Sequence, residues 1–385
     1  MIKTVYNRRN AVPWMKVRFL YLLFLLGVLS SCGNAKLSTA DAQFARGEFF
    51  DAAATYRKVY AKTSPRKERA LRGKIAYKMA TCYRRMNAAP RATGAYQNAI
   101  RYHYKDSMAY FYLARSFQMQ GKYKDAIKNY NLFLERKPGD MLAKNGIRGC
   151  EMAVDWKKNP TRYVVKRADL FNSRRSDCCP MFLGKDYDQL YFTSSTEKAT
   201  GTRKSEITGT KNNDIFFSKK DEKGAWTKPQ IIEGELNSEL DEGIISFSPD
   251  GTLMYLTKAP REPNADTSVE IYTSSRSGAK WGTPQKLEIT GDTISVFAHP
   301  AVSPDGNYLY FTSDMPGGQG GKDIWRIALN EKGEGTLENM GPQINTPGDE
   351  MFPYIRDNGV LYFASDGHPG MGGLDLFKAS QNEYG

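Results

Sequence analysis

Few residues of this chain have the types and spacing that catalysis requires. Its 385 residues include three histidines, His103, His299 and His368, and none has a partnered nucleophile in view. The sequence also lacks the Gly-x-Ser-x-Gly elbow of α/β hydrolases and a domain to carry one. Three histidines are too few for a His-rich metal site. We therefore predict no catalytic residues and no enzyme activity.

Two glycine-rich loops, 313–323 and 365–375, are the next candidates for chemistry. A phosphate cradle is excluded, because neither loop ends in Lys-Ser/Thr or leads into a helical pattern. Their aspartates leave calcium binding as an alternative. The favoured interpretation is structural: Asp323 and Asp375 cap tight loops in which glycine permits the turns. We thus expect no metal and no cofactor.

The five cysteines are too few for a disulfide framework. Cys178 and Cys179 are adjacent, which leaves a redox or metal role open, although no further ligands stand at a suitable spacing. Cys82 and Cys150 fall in helical patterns, where we expect them to pack as small apolar side chains. A disulfide between these two is the alternative.

The fifth cysteine, Cys32, follows a segment with the pattern of a secretory signal peptide. Lys16 and Arg18 precede an apolar run over 19–29, which is too short to span a bilayer comfortably. We predict a signal peptide over residues 1–31, with a start at Met15 as the alternative to Met1.

The tetrapeptide that ends in Cys32 resembles the lipobox of bacterial lipoproteins, since it reads Leu29-Ser30-Ser31-Cys32. The resemblance implies cleavage before Cys32 and its acylation. In that family a Gly33 in place of Asp implies sorting to the outer membrane. Residues 32–37 would then be the lipidated Cys and a short linker, and the protein would lie lipid-anchored at the periplasmic face of the outer membrane.

Charge divides the rest of the chain into two parts. Residues 33–160 carry 26 Lys/Arg against 10 Asp/Glu, a net charge of +16, whereas residues 161–385 carry 24 against 32, a net charge of −8. A basic part beside an acidic part indicates two domains with different partners.

The basic part has helical periodicity and an internal repeat. The clearest unit reads Tyr110-x-x-Leu113-Ala114-x-x-Phe117, Gly121, Ala126-x-x-x-Tyr130-x-x-Phe133, Pro138. It closely resembles a tetratricopeptide repeat, and degenerate copies lie at 76–99 and 47–59. We predict an α-solenoid over 38–158, with a six-residue insertion at 64–69 and a closing helix from Met141 capped by Asp140.

Such stacks present a concave groove to a peptide or partner helix. The simplest interpretation of the basic residues is solvated helix surface, and the sharper one is binding of an acidic protein or anionic envelope polymer. Nucleic acid is not expected as a partner of a secreted lipoprotein. The candidate partner-binding residues cluster around the turns: Arg84, Arg85, Arg91, Arg101, Lys105, Lys122, Lys124 and Lys128.

In the acidic part the pattern changes to alternation with Gly, Pro and Asp turns. One unit recurs four times, centred on the runs at 182–194, 247–257, 302–313 and 355–365, and a strand beginning with an acidic residue follows each. A period near 50 residues with four strands predicts propeller blades. The units resemble the WD-like repeats of TolB-type and prolyl-oligopeptidase-type propellers. We predict an α + β multidomain protein whose solenoid precedes an all-β propeller of at least four blades over 162–385.

The pattern calls for one more strand after residue 378. In one alternative, the segment around Tyr163-Val164-Val165-Lys166 supplies it and closes the ring. In the favoured alternative, the chain is a fragment, and further blades and another domain lie beyond Gly385.

The order of lipobox, short solenoid and propeller resembles Bacteroidetes outer-membrane OmpA-family lipoproteins of the PorE type, found in the type IX secretion system. The resemblance implies a periplasmic scaffold that binds other envelope or secretion proteins. Peptidoglycan binding would need the family's C-terminal domain, for which these residues have no matching segment. The alternatives are a glycan- or nutrient-binding lipoprotein of an uptake system, marked by exposed Trp side chains, and a peptidase remnant.

Overall fold

The computed structural model of the protein describes residues 36–259, 269–329 and 335–382. Within these residues, seven helices are followed by sixteen strands in four antiparallel sheets. The predicted fold class, a helical solenoid followed by an all-β propeller of at least four blades, is confirmed. The signal peptide and Cys32 lie outside the described residues.

Six residues separate consecutive helices at 63–68, 102–107 and 135–140, and three or four separate them at 46–48, 86–88 and 119–122. The predicted insertion at 64–69 therefore does not lengthen its connection relative to the others. Each helix packs against the next along the chain. Their bounds are α1 Leu37–Ala45, α2 Phe49–Lys62, α3 Arg69–Arg85, α4 Ala89–Arg101, α5 Met108–Gln118, α6 Tyr123–Leu134 and α7 Met141–Lys158.

Small and aromatic residues at the repeat spacing make the helical core. Ala80, Ala114 and Ala126 are fully buried where helices cross, and Tyr96 and Tyr130 fill the space beside them. Small side chains let the helix backbones approach, and the aromatic rings then bury large apolar areas. This is the packing that the repeat pattern predicts.

Two local devices set the helix ends. Gly47, Asn87 and Gly121 occupy the same turn in successive hairpins with φ of +81°, +54° and +70°, a conformation that Gly and Asn tolerate best. Asp140 caps α7 as predicted, since its Oδ1 accepts a hydrogen bond of 2.8 Å from the Ala143 amide.

The strands form four successive blades. Blade 1 contains β1 Asp177–Leu183, β2 Gln189–Ser194, β3 Asp214–Lys219 and β4 Gln230–Ile231. Blade 2 contains β5 Glu242–Phe247, β6 Leu253–Lys258, β7 Glu270–Ser277, β8 Lys280–Trp281 and β9 Gln285–Lys286. Blade 3 contains β10 Phe297–Val302, β11 Tyr308–Ser313, β12 Asp323–Ala328 and β13 Leu337–Asn339, and blade 4 contains β14 Glu350–Ile355, β15 Leu361–Ser365 and β16 Asp375–Ala379.

The first strand of every blade contains a β-bulge at the same position. Cys179, Ile244, His299 and Phe352 occupy it with φ between +49° and +56°, and the pairing register shifts there in all four blades. First strands of consecutive blades pack on one another. The bulges therefore bend each first strand at the same level of the propeller.

The turns between first and second strands follow the predicted chemistry. In blade 2, Gly251 has φ +70°, and the Asp250 carboxylate accepts hydrogen bonds from Ser248 Oγ and the Thr252 amide. Gly306 and Gly359 take the same conformation in blades 3 and 4. Glycine is required because the turn places this residue in the left-handed region.

Blade 4 differs from the other three in having three strands among the described residues. Residues 163–166 form no strand, and Val164 is 79% exposed. The alternative in which this segment closes the ring by pairing beside Leu376 is therefore not the arrangement found.

Candidate partner-binding surfaces

The propeller docks on the helical stack through the glycine-rich loop 366–373 of blade 4. Arg115 on α5 forms an ion pair of 2.5 Å with Asp366 and also donates to its backbone carbonyl. Asn145 on α7 donates to the Gly367 carbonyl at 2.9 Å. The loop thus lies against both α5 and α7.

Gln118 is the most enclosed polar residue of this interface. Its Nε2 donates to the Gly370 carbonyl at 2.9 Å, and its Oε1 accepts from the Tyr130 hydroxyl at 2.6 Å. Both Gln118 and Tyr130 are buried. One side chain therefore links the core of the third repeat to the propeller, with both of its polar groups satisfied.

Glycines allow the close approach of the two backbones. A Cβ added to Gly149 on α7 would stand 2.3 Å from the Gly370 carbonyl oxygen, and one added to Gly372 would stand 2.7 Å from the backbone of Gln118. Neither position has room for a larger residue without separating the surfaces.

A second contact joins the first repeat to blade 1. The Phe50 amide donates to the Glu206 carbonyl at 3.1 Å, and a Cβ on Gly209 would meet the Phe50 ring at 2.6 Å. Loops 195–213 and 366–374 both connect the second and third strands of their blades, which places them on the same side of the propeller. The helical stack therefore bridges the first and the fourth blade.

The middle of the stack contains an aromatic pair beside one arginine. The rings of Tyr96 and Tyr112 stack with centroids 5.9 Å apart, and the Arg84 guanidinium lies 4.2 Å from the Tyr112 centroid. Arg84 Nε is buried and has no hydrogen-bond partner. A stacked guanidinium that is partly exposed can pair with a carbonyl or carboxylate of a bound chain through its terminal nitrogens.

The predicted basic residues lie on three helices and in the connections beside them. Arg84 and Arg85 lie in the last turn of α3, Arg91 and Arg101 at opposite ends of α4, and Lys105 in the loop after α4. Lys122 precedes α6, and Lys124 and Lys128 lie on it. All are exposed except Arg84, which is half-buried. The sequence thus predicted the positive charge of this region. It did not predict that Arg84 stacks on an aromatic ring while the other basic residues are exposed.

The aspartates of the two glycine-rich loops cap them, as the structural interpretation holds. Asp323 accepts from the Gln319 amide and from Asn339 Nδ2, and Asp375 accepts from the Gly372 amide at 2.9 Å. Burial raises the pKa of the Asp375 carboxyl. Across residues 36–259, 269–329 and 335–382, no group of three or more His, Cys, Asp or Glu side chains is arranged to hold a metal ion.

Cys82 and Cys150 are buried free thiols in the helical core, so the alternative disulfide between them is wrong. Burial raises the pKa of each thiol to about 12. Cys178 and Cys179 are also free.

The histidines lie in three different parts of the fold. His103 is exposed after α4, His299 is buried on the bulge of blade 3, and His368 lies in the blade 4 loop with Nε2 2.8 Å from the Ile344 carbonyl. Burial lowers the pKa of His299 to about 3. The three imidazoles therefore share no site.

The tryptophans of the propeller are buried or half-buried. Trp281 and Trp325 are buried between blades, and Trp226 is half-buried against Phe171. The exposed stacking surface that the glycan-binding alternative calls for is not formed by these three residues. Among the described residues, no helix has the length and apolar character to cross a membrane.

Comparison with known proteins supports the helical part most directly. A tetratricopeptide-repeat family model matches residues 77–140. This range covers most of the second repeat and all of the third. Tetratricopeptide repeats generally mediate protein–protein interaction. No curated protein matches the chain.

Several solved structures are similar to part of the chain. They include TolB from Acinetobacter baumannii, with 20% identity over 54% of this chain and 42% of that one and a TM-score of 0.33. An α-L-arabinofuranosidase from Lactobacillus brevis has 13% identity over 54% and 74%, with a TM-score of 0.35. A gluconolactonase from Xanthomonas campestris has 16% identity over 49% and 52%, with a TM-score of 0.31. The chain spans less than two thirds of TolB and of the gluconolactonase, and these scores are too low to carry a functional argument.

Sequence reasoning missed the residues that join the two parts. Arg115, Gln118 and Asn145 have no pattern of their own, and their partners lie more than 200 residues away. The one available signal was the excess of glycine in loop 366–373, which indicated tight turns but not a docking surface.

Proposed function

We propose that this protein is a non-catalytic scaffold, held by acylated Cys32 at the periplasmic face of the outer membrane, that binds partner proteins of a type IX secretion or related envelope complex. The tetratricopeptide match over residues 77–140 supports protein binding. The lipobox and the order of the parts support the location and the type of complex.

The observation that carries the proposal is the half-buried guanidinium of Arg84, which lies 4.2 Å from the Tyr112 ring centroid. The helical region has a net charge of +16, and the other candidate basic residues lie exposed around the stack. We infer that an acidic partner segment pairs with Arg84 while the exposed lysines steer its approach. Steering by exposed charge weakens with salt, because the Debye length is about 8 Å at physiological ionic strength.

The test is capture of partners from detergent-solubilised envelopes by the full-length protein, with identification by mass spectrometry. Arg84→Lys keeps the charge but loses the planar stacking group, and we expect it to lower recovery of the direct partner at every salt concentration. The double variant K124E/K128E should lower recovery mainly at low salt. Lys223→Glu, an exposed change on the propeller, is the matched control. Recovery that is unaffected by both helical variants would refute the assigned surface.

Anchoring is tested separately. Cys32→Ala removes the only residue assigned to acylation, and multiple acyl chains are what hold such a protein stably to a bilayer. We expect the variant to leave the outer-membrane fraction and appear soluble in the periplasm or poorly processed. Unchanged outer-membrane fractionation would count against the lipid anchor and would leave the partner-binding proposal standing.

A further inference from the structure

The bulge in β1 interrupts the regular strand at two adjacent cysteines. In a regular strand, consecutive side chains point to opposite faces. Cys179 instead has φ +56°, and the pairing with β2 shifts between Cys178 and Met181. Cys178 and Cys179 both line one cavity beside the bulges. The bulge is common to all blades, but among the four bulges only that of blade 1 carries two cysteines.

The pair faces a cavity that a small molecule can enter. The cavity has a volume of about 310 Å³ and is lined by the bulge residues of all four blades, including His299 and Phe352. Cys178 is solvent-exposed and Cys179 is half-buried. The other two cysteines of the described region are buried in the helical core, so they provide an internal comparison.

The environment makes the two thiols unequal. The hydrogen bond from Cys179 lowers the pKa of Cys178, while the same bond, together with burial, raises the pKa of Cys179. A more acidic, exposed thiol supplies the thiolate that attacks a disulfide. The less acidic neighbour suits the second, resolving step.

We propose that Cys178 and Cys179 form a thiol–disulfide exchange site whose substrate is a small-molecule disulfide entering the cavity. The Cys178 thiolate attacks one sulfur of the substrate. The substrate S–S bond breaks, and the released thiolate takes up the proton that Cys178 lost. The Cys179 thiol then loses its proton and attacks the Cys178 sulfur, which releases the second substrate thiol and leaves an eight-membered ring disulfide. Two protein thiols are oxidised, and one substrate disulfide is reduced to two thiols.

The experiment treats the reduced full-length protein with oxidised glutathione and maps the products by peptide mass spectrometry. We expect a 178–179 disulfide, seen as the loss of two hydrogens without retained glutathione. Cys179→Ser should instead accumulate a stable glutathione adduct on Cys178, and Cys178→Ser should react at least tenfold more slowly at residue 179. Cys82 and Cys150 should remain unmodified in every sample. Peptide mapping separates any reaction at Cys32.

A second probe needs no variant. Phenylarsine oxide bonds to two thiols at once, so the untreated protein should take up one equivalent at residues 178–179, and prior oxidation should abolish this uptake. A stable glutathione adduct on Cys178 of the wild-type protein would overturn the proposal, as would the absence of reaction at either cysteine. No arsenical uptake by the reduced protein would show that the two thiols do not act together and would equally overturn it.

Discussion

Replacing Gln118 by alanine should release the propeller loop from the helical stack. The change removes the hydrogen bond to the Gly370 carbonyl and the one from the Tyr130 hydroxyl, and both groups lie in a buried interface. A buried polar group left without a partner costs about 1–3 kcal/mol. Of the two lost bonds, only the one to the Gly370 carbonyl joins the loop to the helical stack, because Tyr130 belongs to the stack itself.

The expected loss of docking free energy is therefore about 2 kcal/mol, the middle of that range. This corresponds to a roughly 30-fold rise in the open fraction of the loop, since about 1.4 kcal/mol is a factor of ten. Alanine has a higher helix propensity than glutamine and stabilises α5 by only a few tenths of a kcal/mol. This gain does not cancel the loss of docking free energy.

Amide hydrogen exchange of loop 366–373 in the full-length protein measures this opening directly. Exchange should accelerate by about the same factor in the loop and much less in β14 and β15, which keep their ladder. Gln97→Ala is the matched control, because Gln97 is exposed on α4. An acceleration of less than about threefold in the loop of the Gln118 variant would refute the reasoning, since it corresponds to under about 0.7 kcal/mol.

Two further predictions concern Gly149 and His299. Gly149→Ala should undock the same loop, because its Cβ would lie 2.3 Å from the Gly370 carbonyl oxygen. Thermal unfolding and loop exchange should both report a loss of about 1–3 kcal/mol, while Gly139→Ala, with open space around it, should report none. His299 is buried and its pKa is lowered to about 3, so the folded state favours the neutral ring. The neutral ring therefore contributes its full stabilisation of the fold above the unfolded pKa near 6.5. This contribution is lost as the pH falls from 6.5 toward 3. At pH 5 the loss of unfolding free energy should be about 2 kcal/mol relative to pH 7.5. Urea unfolding of His299→Asn should lack this part of the pH dependence, and a His103→Gln control should retain it. Equal slopes of unfolding free energy against pH for the wild-type protein and the His299 variant would contradict the prediction.

Local sequence patterns determined most of the fold. Ala80, Ala114 and Ala126 recur at the spacing at which two helices cross, and Gly251 and Gly306 stand where hairpin turns need a left-handed residue. These signals act within a few residues of the chain, and therefore they can be interpreted without knowing the tertiary structure. The start of β3, β7, β12 and β16 at an acidic residue was predictable for the same reason.

The tertiary structure decided the rest. The pairing of Arg115 with Asp366 joins residues 251 positions apart, and Arg84 differs from the other basic residues because Tyr112 of the next repeat stacks on it. Cys178 and Cys179 both line one cavity because a bulge interrupts the alternation of the strand. In each case the chemistry depends on which surfaces the folded chain brings together, and long-range contacts of this kind leave no periodic signal in the sequence.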